Sequence, residues 1–595
     1  MASPEIRKEL QRIEALAQDG GLEAARAEVG RLLQVHPRQP LLTNAAGKLA
    51  LVAGERDTAL ALVTRAVALA PGAPGLRLSL AEVYAGIGQF DRAAHELERT
   101  VSMVPNAVVA WERLGALALR RRDLPRAEQV GVRLTQLAPR RASGVRLLAR
   151  VALRRQNLTL ARSLLERWRI AEPKSAEPRS LLGELASCAR DFELADAHLR
   201  AALELSPGSP EVRIRWAEHL GRIGEFDAAH AIFSELAEAA PTVGARMANL
   251  GISCMWMGDV DGAVDSLARA VELEPGDAAH RWNYSHALLQ VGRLAEGFAQ
   301  MERRVDLFRR PSWWSARWQG EALAPGTPLV LDTAQGLGDA LQFVRFAQGA
   351  MARGARPIVR THPRLLPLLR SCDGVFEAIP SDAPVPDNAR RASLLSLPHV
   401  LRCHTPADLG GMVPYLHAEP ERVERLKARL AGHARRLTVG IVWQGNPKYA
   451  ADHLRSPPLR HYLPLADIPG VQLVCLQKFH GLDQLAQAPP GIDLLSAELD
   501  VDTAFLDTAA AMRCLDLVLT SDTSTAHLAG ALGAPTWVVL PFAPDWRWPR
   551  VGETTPWYPT MRLFRQNSSR DWPGVFANVH RALRALVESR GVPAC

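Results

Sequence analysis

One spacing constrains this chain more than any other feature. A small residue followed twelve positions later by proline occurs at Ala25/Pro37 and returns every 34 residues, at Ala59/Pro71, Ala93/Pro105, Ala127/Pro139, Ala161/Pro173, Ala195/Pro207, Ala229/Pro241 and Ala263/Pro275. Twelve positions before each of the later alanines stands another small residue: Gly47, Ala81, Gly115, Ala149, Gly183, Ala217 and Gly251. A period of this length commits the chain to stacked supersecondary units rather than one closed core. The spacing predicts a helical hairpin per unit. The small residues let two antiparallel helices approach closely, and proline stops the second because it lacks an amide donor and clashes with the preceding turn. Turns are predicted at segments such as Gly88-Gln89-Phe90-Asp91 and Gly224-Glu225-Phe226-Asp227.

The pattern resembles the tetratricopeptide repeat, most clearly in GEFDAAHAIFSELAEAAP and GDVDGAVDSLARAVELEP. A degraded ninth unit, GRLAEGFAQMERRVDLF, has Gly297 where alanine is expected and would cap the array. The resemblance implies an α-solenoid over residues 1–310 with a concave face that binds a protein or peptide partner; a rigid spacer or dimerisation element is the alternative. No Arg, Trp or His of the repeats is nominated as a ligand.

Composition adds exclusions. The formal charge of +8 would suit nucleic acid, but 65 of the 71 basic residues are arginines scattered along the chain, so no specific nucleic-acid partner is expected. A local use of this charge for an anionic substrate such as a nucleotide sugar stays open. The seven cysteines form no CxxC pair, so neither a disulfide framework nor a zinc site is indicated. The first twenty residues, MASPEIRKELQRIEALAQDG, carry charges where a signal peptide would be apolar, and no run is long enough for a membrane helix. A cytoplasmic protein without a membrane span is expected.

Near Pro311-Ser312-Trp313-Trp314 the helical period ends, and short β-branched runs take over at 328–333, 357–361, 437–443, 471–477, 515–521 and 536–541. Nearly continuous apolar strands between helices predict parallel sheets covered on both faces. The stretch ERVERLKARLAGHARR, 421–436, reads as a helix and linker between two Rossmann-like halves, 311–435 and 436–595. In such sheets ligands sit beyond the carboxyl ends of the strands.

Three segments occupy that place. Ala334-Gln335-Gly336-Leu337-Gly338-Asp339 follows the first strand and opens a helix. Its glycines allow close approach to a ligand, and Asp339 stands at the helix start as a carboxylate for proton transfer or as a simple cap. Ser521-Asp522-Thr523-Ser524-Thr525-Ala526-His527 brings hydroxyls and a carboxylate to another helix start, suited to an anion or sugar hydroxyls, with a capping turn as the bland reading. Trp443 to Ser456 carries Lys448 and Arg455, either of which can neutralise a pyrophosphate, Arg455 with bidentate geometry.

Together QGLGDALQFVRF, SLLSLPHVL, VGIVWQGNP, DHLRSPPL, SDTSTAHLAGALGAPTWVVLPFAPDWRW and PWYPTMRLFRQ resemble the C-terminal domain of bacterial tetratricopeptide proteins similar to the heptosyltransferase group of GT-B glycosyltransferases. The resemblance covers about residues 311–590. It implies an α/β GT-B-like pair of Rossmann-like domains after the solenoid, Asp339 as the base toward the acceptor hydroxyl, and Asp522, Thr523, Ser524 and His527 around the donor. Gly336, Gly338, Lys448 and Arg455 complete the expected donor-binding set. The implied reaction is an inverting transfer from a nucleotide sugar to a protein or surface-glycan acceptor. No cofactor beyond the donor is expected, and no DxD string points to a metal. Two departures stand out: ALQFVRF replaces the small, histidine-bearing continuation usual in that group, and PFAPDWRWPR has no counterpart there. Trp546 and Trp548 read as packing aromatics. The alternative is a non-catalytic repeat scaffold with a degenerate interaction module.

Overall fold

The computed structural model describes residues 4–307, 310–333, 336–410, 413–433, 436–488, 491–500 and 505–591. Two compact units divide at Arg215/Trp216. The repeats themselves run on to Asp306, and the division falls before their end because the last of them pack with the sheets.

Within Met1–Arg215 the chain is a succession of antiparallel helix pairs, from Pro4–Gln18 and Leu22–Val35 onward. All eight periodic alanines, two of them beyond this unit, are fully buried, as close helix crossing requires. At Gly47 an added Cβ would lie 2.5 Å from Val63 Cγ2, and at Gly183 2.5 Å from Leu199 Cγ, so the small residues mark where one helix presses on its neighbour. Each hairpin turns through one residue of positive φ, again 34 apart. Glycine holds that place at 54, 88, 224, 258 and 292, whereas Arg122, Gln156 and Arg190 adopt it at φ 60°, 57° and 65°.

The unit Trp216–Cys595 holds the last repeats and two parallel sheets. In the ninth hairpin the second helix shrinks to Leu294–Met301 and runs into a 3-10 turn, Glu302–Asp306. The first sheet has β1 (Thr327–Asp332), β2 (Ala355–Thr361), β3 (Glu377–Pro380) and β4 (Arg390–Ser393) in the order β3-β2-β1-β4. The second has β5 (Leu437–Val442), β6 (Val471–Cys475), β7 (Leu517–Ser521), β8 (Thr536–Leu540) and β9 (Met561–Arg565) in the order β6-β5-β7-β8-β9.

The sequence pattern missed β3, β4 and β9, which are short and carry charged residues. In β4 this has a local cause: Arg391 and, on β2, Arg360 both bind the buried Asp332 at 2.9 and 2.5 Å, knitting three strands. The SLLSLPHVL string holds the last residue of β4, Ser393, and the turns and short helix that follow it. The segment 421–436 forms a helix, Pro420–Leu430, and a 3-10 turn.

One apolar core runs from Leu289, Phe298 and Met301 of the last repeat through the first sheet to one face of the second; the other face packs under the C-terminal helix Trp572–Ser589. Strand order reverses at β1, flanked by β2 and β4, and at β5, flanked by β6 and β7. Connections leave such a point in opposite directions and open a crevice at the carboxyl ends of the strands. Among the described residues no helix is long and apolar enough to cross a membrane.

Candidate active site

Both crevices open into one cavity of about 1060 Å³ within the unit Trp216–Cys595. From the first sheet, Gly336 caps the helix Leu337–Phe343 that follows β1, and Asp339 sits in its first turn. Asp339 Oδ2 accepts the Gly336 amide at 3.2 Å, so the capping role is real, and Oδ1 accepts a guanidinium N–H of Arg547 at 2.5 Å. The QG segment's Ala334 and Gln335 lie outside the described residues. Gly338 lets the two helices approach closely, since a Cβ there would lie 3.1 Å from His527 Cδ2.

From the second sheet, β7 delivers Asp522 and then Thr523, whose side chain caps the helix Ser524–Ala531 by accepting Thr525 N at 3.3 Å. His527, on that helix, stacks on Trp548 with ring centroids 5.6 Å apart and meets Tyr558 Oη through Nδ1 at 3.0 Å. Gly445, after β5, gives its amide to Ser456 Oγ, and Arg455 lies over the Tyr449 ring while binding Asp452 at 3.2 Å. Gln477 braces this loop, accepting the amides of Trp443 and Gln444.

Gly336, Gly338, Asp339, Arg455, Asp522, Thr523, Ser524 and His527 therefore all line one cavity. Lys448 does not. Its side chain is exposed and it is not part of the wall, because the turn after Asn446 carries it outward. Of the two cations, Arg455 is the one in the wall.

Sequence reasoning also missed the hub of the site. Arg547, on the loop after β8, donates from Nε to Gln342 Oε1 at 2.6 Å, from Nη1 to Asp545 at 2.8 Å and from Nη2 to Asp339. It ties the first-sheet helix to the second-sheet loop. The unusual DWRW string was the available signal, read then only for its tryptophans; Trp548 is fully buried and Trp546 nearly so, as packing aromatics are. The repeats, from which no ligand was nominated, contribute His286 and Trp282 to the wall.

Electrostatics separate the carboxyls. Burial raises Asp339 above the usual carboxylate range, although Arg547 opposes it. Burial and then Asp545 likewise raise Asp522. Burial acts on Asp545 too, but Arg547 overrides it and holds that carboxyl low. Burial pushes His286 down to about 4 and, with Arg547, His527 to about 3, so both rings are neutral near pH 7. A raised carboxylate beside helix N-termini and an arginine can exchange a proton with a hydroxyl and hold an anion.

A second cavity of about 340 Å³ adjoins the first, sharing His286, Tyr449, Arg455 and Asp545 with it. Its repeat side carries Arg222, Trp256 and Gln290, the same position in three successive units. Both amide atoms of Gln290, and Nε2 of Gln566, are buried with no hydrogen-bond partner among the described residues. The one group of metal-ligating type among the described residues, Glu274, Asp277 and His280, sits at a repeat turn and lines neither cavity; Asp277 there caps a helix.

Family models described as tetratricopeptide repeat match residues 50–117, 189–250 and 249–308. The helical array is built of tetratricopeptide repeats. The chain is also similar to Protein FlbA of Caulobacter vibrioides, 27% identical over 407 residues, 62% of this chain and 66% of FlbA, just under two thirds of that relative's length. Among solved structures, it is similar to a tetratricopeptide repeat protein from Parabacteroides merdae, with 14% identity over 42% of this chain and 98% of the other, at a TM-score of 0.37. It is also similar to YrrB, described as a TPR protein with an unusual peptide-binding site, with 18% identity over 31% of this chain and 96% of the other, at a TM-score of 0.25.

Proposed function

We propose that the chain is a glycosyltransferase whose two parallel sheets are the lobes of a GT-B unit, and that it moves a sugar from a nucleotide sugar to an acceptor hydroxyl. The observation that carries this reading is convergence. Asp339 from one sheet, and Arg455 with the Asp522–His527 segment from the other, line one cavity at the carboxyl ends of parallel strands. A cavity of about 1060 Å³ has room for a nucleotide sugar with part of an acceptor.

In the proposed reaction Asp339 accepts the acceptor's hydroxyl proton as that oxygen attacks C1 of the sugar. The C1–O bond to phosphate breaks on the opposite face, inverting the anomeric centre. The departing nucleoside diphosphate takes its negative charge to Arg455 and the positive end of the helix Ser524–Ala531, so the course needs no metal. Its raised carboxyl suits Asp339 to this task, but Arg547 must yield its hold first.

The adjoining groove supports a polypeptide acceptor over a glycan. Buried, unpartnered amide atoms cost free energy unless a ligand completes them. A peptide backbone offers the donors and acceptors that Gln290 and Gln566 lack, and Trp256 offers a platform for a side chain.

Incubation with a panel of nucleotide sugars and candidate protein acceptors should give sugar transfer that Asp339→Asn abolishes without loss of folding. Absence of transfer together with absence of nucleotide binding by calorimetry would favour the second reading, a repeat scaffold with a non-catalytic module. Occupation of both Asp339 oxygens is the observation in favour of that alternative.

A further inference from the structure

Arg345 is fully buried, yet among the described residues its hydrogen bonds go to no carboxylate: it donates to the carbonyls of Gln342, Leu409 and Trp557 and to Tyr415 Oη. The rings of Tyr415 and Tyr558 lie 4.6 and 4.5 Å from its guanidinium carbon. A buried cation left to carbonyls and aromatic faces is costly to build and needs a reason. The reason lies one step further on, at Tyr558, whose ring the guanidinium covers and whose hydroxyl meets His527 Nδ1 at 3.0 Å.

The protons can be followed along this chain. Tyr415 spends its hydrogen on Leu341 O at 2.8 Å and accepts from Arg345 at 3.0 Å. Arginine only donates, so Arg345 over the ring takes no hydrogen from Tyr558, and Tyr558 Oη keeps its own to give. Tyr415 Oη, bonded to Leu341 O and Arg345, is already committed, and the partner of Tyr558 Oη is His527 Nδ1 at 3.0 Å. An imidazole nitrogen is the better acceptor of the two. If Nδ1 receives a proton's bond, the ring hydrogen must sit on Nε2. The Cδ2–Nε2 edge is the one turned toward Gly338 and the cavity, while stacking on Trp548, with an interplanar angle of 11°, fixes the plane of the ring.

We propose that Tyr558, itself oriented by Arg345, is a positioning residue that locks His527 as the Nε2–H tautomer, so that a directed N–H donor faces the donor phosphates or sugar in the cavity. The ligand part of this statement rests on the glycosyltransferase reading; the tautomer does not. The groups facing the ring are Tyr558, Trp548, Arg547, Arg345, Arg455 and Asp545, and burial among three arginines keeps the ring uncharged. The geometry thus presents the same donor across the working pH range.

Two experiments separate the parts. Histidine-selective 15N NMR on the full chain, with His527→Gln used to assign the signal, should show the Nε2–H pattern between pH 5.5 and 8 in the wild type and a tautomer mixture in Tyr558→Phe. An Nδ1–H or imidazolium signal in the wild type overturns the proposal, whatever the protein's activity. The second is a double-mutant cycle with the nucleoside diphosphates UDP, GDP and ADP as calorimetric probes. Glutamine places an amide N–H near the Nε2 position and needs no tautomer partner. Tyr558→Phe should therefore weaken binding about fivefold in the wild-type background, about the worth of one hydrogen bond, and have no effect in the His527→Gln background. Equal losses in both backgrounds would make Tyr558 merely structural and overturn the proposal. If none of the three nucleotides binds the wild type, the enzyme reading fails while the NMR result still decides the tautomer.

Discussion

Arg547 is the residue whose loss tests the site most directly. Arg547→Met removes the guanidinium held between Asp339 and Asp545 and leaves two carboxylates facing an apolar chain. Their side chains keep 25% and 31% of their surface, against 13% for Arg547. Breaking a fully buried pair from one side costs about 3–5 kcal/mol, and carboxylates this exposed recover part of that by hydration and screening, so about 2–3 kcal/mol is expected. In a unit the size of Trp216–Cys595, ~2.1 cal/mol/K per residue turns this into a fall of about 3 °C in Tm.

The pH dependence gives the sign. Against the pull of burial, Arg547 holds the folded Asp545 carboxyl below its ordinary value, so the stability it contributes is present above the unfolded pKa of ~3.9 and is lost as pH falls through the folded value. In Arg547→Met burial acts alone, both carboxyls rise, and stability is regained as pH falls through those raised values. The gap between wild type and variant should be widest near neutrality and close on acidification. Thermal melts from pH 7.5 to 3.5 at fixed ionic strength measure it. Arg547→Lys keeps the charge but cannot reach Gln342, Asp545 and Asp339 together, and should recover less than half of the loss. Equal Tm values at every pH, or a gap that widens toward acid, would refute the reasoning.

Gln156→Gly should stabilise the repeats by about 1 kcal/mol in urea unfolding, since it relieves a left-handed turn that glycine occupies in the equivalent units, whereas a loss would mean the glutamine side chain matters more than its backbone. Gly251→Val should destabilise by about 1–3 kcal/mol, because its Cβ would lie 2.5 Å from Leu267 Cγ and 3.2 Å from the Ala263 carbonyl; an unchanged melt would show that the helices can part freely. Burial depresses the folded His286 pKa to about 4, so protons bind the unfolded chain first and stability falls as pH drops from ~6.5 toward that value. His286→Gln should flatten this part of the pH–Tm curve, and an unaltered slope would count against a buried neutral ring.

Much of the fold was legible because repetition and period are local. Eight alanines in step, each buried, could be read from spacing alone, as could the change from helical to strand-like pattern after Pro311. The six apolar strands were visible because burial on both faces leaves no polar alternation. Strands β3, β4 and β9 were not, since their residues are chosen for edge positions and for long-range partners such as Asp332, which the pattern of neighbours does not reveal.

The site divides the same way. The sequence by itself marked Asp339 and the Asp522–His527 segment, because a strand end followed by a small-residue helix start is a local signature with a known place in parallel sheets. It favoured Arg455 over Lys448 only by its local string, whereas the direction in which the loop carries each side chain is tertiary. Nor could it find Arg547, whose partners Gln342 and Asp339 lie over two hundred positions away, or see that repeats would wall a cavity through His286. Those are tertiary decisions. A charge is settled by what surrounds it, and its surroundings come from distant parts of the chain only once the two sheets and the last repeats share one core.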